Sequence, residues 1–375
     1  MKLFKALSIF IGTIIGAGIF GLPYVVAKSG LILGFFYFLV LGGSVLLLHL
    51  FLGEALLRTA GQCRLPGLAQ KYLGKPGKFF TMVSVVVGLV GALLAFLILG
   101  GEFLNILFSS LLDLSRAQFT LIFWLILSYF IFKGIKFIAS IEVLTTLFFF
   151  AVMAIILFFS LPKFNSVNIN FLNIDDAFLP FGVILFSLMG WSAVPEITDF
   201  LRLPQEREKI KKIMVLTMGI VALFYLFFVV TVIGVSGQGT SEDALSGLLP
   251  FLGQKIIILG ALAGLITLAD SFLILGLHLK NTFIYDLKLP PGLAVLISCG
   301  LPLLLFLLGL RSFIATLGFV GTVVGAIEGV VIILIFKRAK TMGDRKPEYN
   351  LKTPSWLPYL LIAIFVFGAL SQFFI

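Results

Sequence analysis

Residues 12–23 read Gly-Thr-Ile-Ile-Gly-Ala-Gly-Ile-Phe-Gly-Leu-Pro and lie in the middle of the first long apolar run of the chain. Four glycines and one proline oppose a continuous helix here, since an interior Gly costs about 1 kcal/mol and Pro about 3 kcal/mol relative to Ala. An interrupted helix frees backbone N–H and C=O groups at membrane depth, where they are tolerated only inside protein or beside a polar cavity. Two interpretations follow: a binding site built from backbone atoms, or a close helix contact between small residues.

The composition is that of a membrane protein, because 60% of the 375 residues are hydrophobic and 12% are charged. A soluble domain has roughly 45–50% apolar and about 25% charged residues. The apolar residues form long runs, so we predict an all-α integral membrane protein. The net charge of +10 does not indicate nucleic-acid binding, since no polar stretch is long enough to form a soluble basic domain. Cys63 and Cys299 fall in a predicted loop and a predicted span, which argues against a disulfide.

Hydropathy predicts about eleven membrane spans with brief connections between them. The first apolar run lacks a signal cleavage site, so we expect it to be retained as a span. The predicted spans are 7–27, 31–57, 79–109, 118–133, 137–161, 175–201, 213–236, 254–286, 292–310, 312–337 and 355–374.

The basic residues predict the orientation of these spans in the cell membrane. If the N-terminus is cytoplasmic, all but five of the 27 Lys and Arg residues fall on the cytoplasmic side. The exceptions are Lys28, Arg116, Lys163, Lys255 and Arg311. We therefore expect a multi-pass protein with a cytoplasmic N-terminus and its C-terminus outside.

A second interruption occurs in the sixth span, where residues 190–195 read Gly-Trp-Ser-Ala-Val-Pro. They align with residues 18–23 at an offset of 172. The third and eighth spans begin near Phe79 and Phe251, again 172 apart. Phe-Leu-Ile-Leu-Gly also recurs, at an offset of 176. These matches indicate an internal repeat.

The repeat is inverted, because five spans precede the sixth and the second copy enters the membrane from the opposite side. We place repeat 1 at about 7–161 and repeat 2 at about 175–337, with an extra helix at about 355–374, in a single domain of residues 1–375. Paired interrupted segments in the two halves are typical of a transporter's binding site. The repeat therefore favours the binding-site interpretation of residues 12–23.

Three stretches resemble the hydroxy/aromatic amino acid permease family of the amino acid–polyamine–organocation superfamily. They are residues 12–23 with Gly30; Pro195 with Leu201, Arg202, residues 208–213, Gly219 and Tyr225; and residues 270–273 with Gly276 and Asp286. The resemblance implies a LeuT-like bundle of five plus five inverted-repeat helices, with helices 1 and 6 broken and one extra C-terminal span. It also implies uptake of an amino acid, usually coupled to protons, but it does not identify the amino acid.

Backbone atoms at the two interruptions suit an amino acid zwitterion. The N-terminus of a half-helix near Gly16–Gly18 offers N–H groups to a carboxylate. Freed carbonyls there and around 186–189 accept hydrogen bonds from the ammonium. Phe20, Phe186 and Trp191 are candidates for the apolar part of the pocket, although most aromatic residues of such a chain face lipid or pack in the core. The candidate substrate-binding residues are Gly16, Ala17, Gly18, Ile19, Phe20, Phe186, Ser187, Met189, Gly190 and Trp191. The absence of charge in both interruptions favours a neutral substrate.

Asp270 lies near the middle of the eighth span, where an ionisable residue is a candidate functional group. In sodium-coupled relatives of the LeuT-like fold, a Thr/Ser pair at this position completes an ion site with carbonyls of the first span. The resemblance places those carbonyls at about Gly12 and Ile15, and the Ser at Ser271. The carboxylate of Asp270 replaces the Thr, so that it either takes up a proton or adds charge to a sodium site. A structural, hydrogen-bonded Asp is the remaining alternative.

Glu328 lies in the tenth span, within a stripe formed by Gly321, Gly325 and Gly329. The stripe predicts close packing of another helix. We consider Glu328 as part of the coupling-ion machinery, as a proton relay, or as a residue that faces an internal water.

Other functions are less consistent with the sequence. No metalloprotease, Ser/His or phosphate-loop motif is present, and His49 and His278 lack metal-ligand spacing. We therefore expect neither an enzyme nor a metal or cofactor, and the coupling ion is H⁺ or Na⁺. A channel would need a filter or pore helices. Exchange or export of an amino acid, instead of uptake, stays open, as does the oligomeric state.

Overall fold

The computed structural model describes residues 2–134, 138–285 and 287–372, and includes described side chains in these ranges except at residues 138–143. Within these ranges the chain forms helices and short connections. The predicted span ends at residues 137, 286 and 374, and Asp286, lie outside the described residues. The helices are α1 (Lys2–Ile14), α2 (Gly18–Ser29), α3 (Leu31–Leu57), α4 (Leu65–Phe108), α5 (Arg116–Lys133), α6 (Ile138–Ser160), α7 (Leu179–Leu188), α8 (Ala193–Phe200), α9 (Pro204–Arg207), α10 (Ile210–Ser236), α11 (Leu249–Leu252), α12 (Gln254–Tyr285), α13 (Pro291–Leu307), α14 (Phe313–Phe319), α15 (Gly325–Met342) and α16 (Leu357–Ser371).

The helices reproduce the predicted membrane spans. In the described residues, eight helical segments are long and apolar enough to cross a membrane, and α1 with α2 forms a ninth that is bent by 54°. The shorter apolar helices α13 and α16 lie where the ninth and eleventh spans were predicted. The third span differs from its prediction, because its helix already begins at Leu65 and bends at Gly74, where φ is +77°. Polar residues and Pro76 suggested a loop here, but the residues before Gly74 are helical, and the non-helical backbone of Gly74 forms a kink between them and the helix that follows.

The two broken segments form the centre of the bundle. α2 packs against α7 and α10, while α7 packs against α3, α14 and the segment that follows α14. α12 packs on α4 and α6 at the side of this centre. Large apolar side chains such as Leu39, Leu125 and Leu223 are exposed on the outside of the bundle, as expected for a surface that contacts lipid.

The tenth span packs tightly on the second broken segment through its glycines. A Cβ at Gly321 would clash with the carbonyl of Gly182, and one at Gly325 would lie 3.1 Å from Leu185 and Met189 atoms. The predicted close packing of the glycine stripe is therefore observed. Between α14 and α15, residues Val320–Val324 form a π-helix, a feature that often marks functional sites.

Two ion pairs mark one end of the bundle, which we call the basic face. Lys2 pairs with Glu206 at 2.7 Å, and Arg64 pairs with Asp199 at 3.1 Å. They join α1 to α9 and the loop before α4 to α8. The basic face therefore holds the ends of α1 and α8 that lie farthest from the two interruptions.

The opposite face is closed by the connection between α6 and α7. The N–H of Leu31 donates to the carbonyl of Asn170 at 2.9 Å, and the N–H of Asn173 donates to the carbonyl of Ser29 at 2.8 Å. Gly30 between α2 and α3 has φ of +95°, and a Cβ there would clash with the backbone of Leu172. This connection fixes the C-terminal end of α2.

Candidate functional site

The first interruption consists of residues 15–17, between the end of α1 at Ile14 and the start of α2 at Gly18. It is narrower than the twelve-residue motif: Gly12 lies inside α1, and Pro23 lies inside α2. Gly16 is half-buried, and the space that a Cβ would occupy there is open. The first interruption therefore has room beside its backbone.

Backbone donors are available at the first interruption. In the part of the chain that the structure describes, the N–H groups of Gly16 and Ala17 make no backbone hydrogen bond, and no side chain caps α2. The buried residues Ile19 and Phe20 follow in the first turn of α2. Unpaired N–H groups at a helix N-terminus bind anions, carboxylates included.

The second interruption consists of residues 189–192, between α7 and α8. Met189 adopts an extended conformation with ψ of 135°, which ends α7. Pro195 lies in the first turn of α8, where its missing N–H would have no helical partner anyway. Sequence therefore predicted both interruptions correctly, and the structure confirms that helices 1 and 6 are broken.

The two interruptions lie against each other. A Cβ at Gly18 would be 2.8 Å from the Cα of Ser187, and one at Gly190 would clash with the side chain of Ile14. Ser187 is buried, and its hydroxyl donates to the carbonyl of Val183 at 2.7 Å. Gly18 thus packs directly on Ser187, and Gly190 packs on Ile14 at the end of α1.

Tyr225 of α10 links the two interruptions. Its hydroxyl is buried and lies 3.1 Å from the carbonyl oxygen of Ile14 and 3.2 Å from that of Ser187, to which it donates. Both carbonyls are freed by the breaks. The sequence showed Tyr225 only as part of a family resemblance, since nothing in a local pattern indicates a contact with residues 14 and 187.

The aromatic candidates have different surroundings. Phe20 is fully buried and packs edge-to-face on Phe103 at 4.9 Å and on Phe149 at 6.1 Å. This layer lies on the α2 side of the first interruption, toward the opposite face. Phe186 and Met189 are half-buried at the end of α7.

Trp191 of the second interruption is buried and donates its indole N–H to Glu328 Oε2 at 2.5 Å. Glu328 follows the π-helical segment by one turn and is 6% exposed. The His49 ring of α3 lies 6.4 Å from the Trp191 ring and 4.9 Å from that of Phe10. The contact of a candidate coupling residue with a candidate substrate-binding residue was not visible in the sequence, because it joins positions 137 residues apart.

The remaining coupling candidates lie at α12 and α1. Asp270 Oδ2 accepts a hydrogen bond of 3.1 Å from the Thr145 hydroxyl of α6. Asp270, Ser271 and Gly12 are half-buried and Ile15 is buried. No hydrogen bond or ion pair of the described residues joins α12 to Gly12 or Ile15. The described residues contain no cluster of metal-binding side chains.

A separate cavity of about 370 Å³ opens at the basic face. Its lining includes Thr59, Gln62, Asp199, Arg202 and Arg345. It contains no residue of either interruption, so we do not place the substrate site there.

Sequence comparisons identify related proteins. A model of the family described as transmembrane amino acid transporter protein matches residues 1–375. Glutamine transporter 2 of Aliivibrio fischeri is 23% identical over 355 residues, which cover 92% of this chain and 90% of the relative. The tyrosine-specific transport system 2 of Haemophilus influenzae is 31% identical over 186 residues, which cover 48% of this chain and 45% of that relative.

A structural comparison confirms the predicted fold class. The crystal structure of MhsT in complex with L-phenylalanine superposes with a TM-score of 0.72 at 16% sequence identity, covering 99% of this chain and 98% of that one. At this identity the likeness concerns the fold alone. The chain has the all-α, LeuT-like bundle with broken first and sixth helices.

Proposed function

We propose, since the chain belongs to the family of transmembrane amino acid transporter proteins, that it takes up a neutral amino acid across the cell membrane by alternating access, coupled to protons. It is a multi-pass membrane transporter and not an enzyme. The proposal includes a neutral substrate, proton coupling and the direction of uptake. It also includes a cytoplasmic N-terminus, a C-terminus on the outside, and the bounds of the two inverted repeats.

The observation that carries the proposal is the open space at Gly16 beside unpaired backbone N–H groups. The N–H groups of Gly16 and Ala17 suit the substrate carboxylate. Carbonyls at the adjoining second interruption, near Phe186 to Met189, suit the ammonium. This arrangement recognises the part of the substrate that all α-amino acids share.

Two further observations support a neutral substrate. Residues 15–17 and 189–192 include no charged side chain. In addition, the two sequence relatives are named for glutamine and tyrosine, and MhsT was crystallised with L-phenylalanine. A neutral side chain would lie near Phe186 and Trp191.

For the coupling ion, we propose that Asp270 carries the proton, with Thr145 as its hydrogen-bond partner in the unloaded state. The Asp270 carboxylate is half-buried and makes no ion pair among the described residues, so protonation would remove an uncompensated charge. The alternative is a sodium site formed by Asp270, Ser271 and the carbonyls of Gly12 and Ile15.

The experiment is transport by the purified protein in liposomes, with glutamine, tyrosine and phenylalanine as substrates and with a pH or sodium gradient imposed separately. We expect accumulation driven by an inward proton gradient and loss of this accumulation in Asp270→Asn. Ser271→Ala is the matched control for a sodium site, because it removes a sodium ligand but no proton carrier. Accumulation that requires sodium would contradict proton coupling, and no transport of any amino acid would contradict the proposal.

Counterflow distinguishes uptake from exchange. A symporter accumulates substrate into empty liposomes when a gradient is imposed, whereas an obligate exchanger requires amino acid inside. Accumulation only into liposomes that are preloaded with amino acid would show that the protein is an exchanger and would contradict net uptake.

A further inference from the structure

Three polar side chains on three separate elements meet beside the second interruption. They are His49 of α3, Trp191 of the interruption and Glu328 of α15, and all three are buried. The indole donates to Glu328 and its ring lies 6.4 Å from the His49 ring. Neither the family resemblance nor the sequence pattern gives His49 a role.

His49 is a buried base without a partner. Its exposed fraction is 0%, and neither ring nitrogen makes a hydrogen bond in the part of the chain that the structure describes. A neutral imidazole has one N–H donor and one acceptor. Buried polar groups are normally paired, so an unpaired imidazole at this depth indicates a partner that joins it in another state.

Glu328 is a buried acid whose hydrogen-bond donor belongs to the interruption. No ion pair among the described residues involves Glu328, and its hydrogen bond comes from Trp191. The Ser84 hydroxyl of α4 is a second polar neighbour, although it is outside hydrogen-bond geometry. The carboxyl group of Glu328 therefore takes its hydrogen bond from an indole N–H that moves if the second interruption moves.

His49 and Glu328 lie at the same level of two helices that pack directly. A Cβ at Gly329, next to Glu328, would be 3.2 Å from Leu48, next to His49. Further along the same two helices, the rings of Phe51 and Phe336 stack at 4.0 Å. α3 and α15 therefore pack directly on each other, whereas Trp191 belongs to the non-helical turn between α7 and α8.

We propose that His49 and Glu328 form a proton-binding pair that Trp191 keeps apart in this conformation. When the second interruption moves and withdraws the indole, the Glu328 carboxylate takes up a proton from hydronium of the bulk solvent, and the new carboxyl O–H donates to an imidazole nitrogen of His49. Return of Trp191 restores the indole hydrogen bond, and the carboxyl group returns its proton to the solvent. This inference rests on the proposed function in one respect, that the second interruption moves during transport.

Other titratable groups near α3 do not compete for this role. α7 has no titratable side chain, and the Tyr225 hydroxyl of α10 is bound to two carbonyls. Glu54 of α3 pairs with Arg58, and Asp199 of α8 pairs with Arg64. Glu196 of α8 is exposed, and Tyr24 and Lys28 of α2 lie toward the opposite face. On the helices that pack on α15, Lys71 and Glu102 of α4 pair with Asp344 and Arg116, and Tyr72 of α4 is bound to Thr59. Lys75 and Lys78 of α4 are not buried, and Tyr359 of α16 is bound to Lys337. His49 and Glu328 are therefore the buried base and acid at the indole.

The test uses the fluorescence of Trp191 in the full-length protein. Trp124→Phe and Trp356→Phe leave Trp191 as the only one of the three tryptophans. Trp356 is exposed and Trp124 donates one hydrogen bond to the Cys299 carbonyl. Neither takes part in the hydrogen bond between Trp191 and Glu328. We expect one step in Trp191 emission as the pH is varied, because protonation of Glu328 changes the acceptor of the indole N–H.

Two variants of this single-tryptophan protein, Glu328→Gln and His49→Gln, decide the outcome, and two further variants serve as controls. The step is expected to disappear in Glu328→Gln, and its pH midpoint is expected to move by about one pH unit or more in His49→Gln. The control variants Glu102→Gln and His278→Gln, an acid and a base elsewhere in the bundle, should keep the step of the parent. If Glu328→Gln does not fold, Glu328→Asp replaces it and should move the midpoint.

Two results would overturn the proposal: a full pH step in Glu328→Gln, or an unchanged midpoint in His49→Gln. The His49→Gln result decides by itself if neither Glu328 variant is monodisperse. The measurement requires no substrate and no transport. Its failure is thus distinguishable from failure of the proposed function, which would appear as the absence of amino acid transport in liposomes.

Discussion

The two interruptions differ in what surrounds their backbone. At the first, the chain turns through small residues and leaves open space beside Gly16. At the second, a large indole fills the turn and is bound to a buried carboxylate on another helix. Tyr225 donates to a carbonyl at each of them.

This difference suits the two interruptions to different roles, although their sequences resemble two copies of one repeat. A site for the common part of an amino acid needs backbone atoms with free space around them, as at Gly16. A site that responds to protonation needs ionisable side chains, as at Trp191 and Glu328. We interpret the first interruption as the main recognition element and the second as the element that links recognition to movement.

The largest expected effect comes from the contrast between Gly18 and Gly16. Gly18→Ala brings its Cβ to 2.8 Å from the Ser187 Cα, and overpacking of this kind costs about 1–3 kcal/mol or more. Gly16→Ala meets no atom within 4 Å and should fold normally. Thermal unfolding in detergent measures the difference. Equal stabilities of the two variants would contradict the close contact between the interruptions.

Gly16→Ala also tests recognition, since its methyl group occupies the space proposed for substrate. We expect weaker binding of every substrate amino acid with little change in unfolding temperature, as measured by titration calorimetry of the purified protein. Unchanged binding would show that the substrate is not recognised at the first interruption.

An intermediate effect is expected for Tyr225→Phe. The substitution leaves the carbonyls of Ile14 and Ser187 without their shared donor, and an unsatisfied buried group costs about 1–3 kcal/mol. Tyr37→Phe is the control, because Tyr37 is a buried tyrosine on α3 that packs against the Phe181 ring. Unfolding of Tyr225→Phe at the wild-type temperature would show that the two interruptions are not joined through this hydroxyl.

The smallest effect is expected at the basic face, where Lys2 joins α1 to Glu206. The hydrogen bond and charge of Lys2 hold the pKa of Glu206 below its ordinary value of 4.5. The lowered pKa means that the contact stabilises the folded protein above about pH 4.5 and is lost as the pH falls through the pKa of folded Glu206. Glu206→Gln should therefore unfold at a slightly lower temperature than wild type at pH 7, and at the same temperature at pH 3. A difference that persists at pH 3 would contradict this origin.

The positions of the two interruptions could be predicted because Gly and Pro act on the backbone locally. The Gly and Pro residues of 12–23 and 190–195 predict a break in each helix from local sequence alone. The common offset between the two stretches supports the same prediction independently. The exact width could not be predicted: Gly12 and Pro23 are accommodated within helices, since helix packing outweighs their local cost.

The contacts that complete the site could not be predicted, because they depend on tertiary arrangement. Tyr225, Trp191 with Glu328, and the position of His49 join residues far apart in sequence. The π-helical segment after α14 has no sequence signal of its own and arises where Gly321 packs on α7. Phe20, a candidate for the pocket on sequence grounds, is packed within an aromatic cluster, and its contact with substrate stays a prediction.

The most direct test of the two-interruption site is a structure of the protein with a bound neutral amino acid, determined at a resolution that shows the carboxylate. We predict that the carboxylate accepts hydrogen bonds from the backbone N–H groups at Gly16 to Gly18, with the ammonium beside freed carbonyls of the second interruption. A substrate held elsewhere, or one whose carboxylate is bound by a charged side chain away from Gly16, would contradict recognition by main-chain atoms.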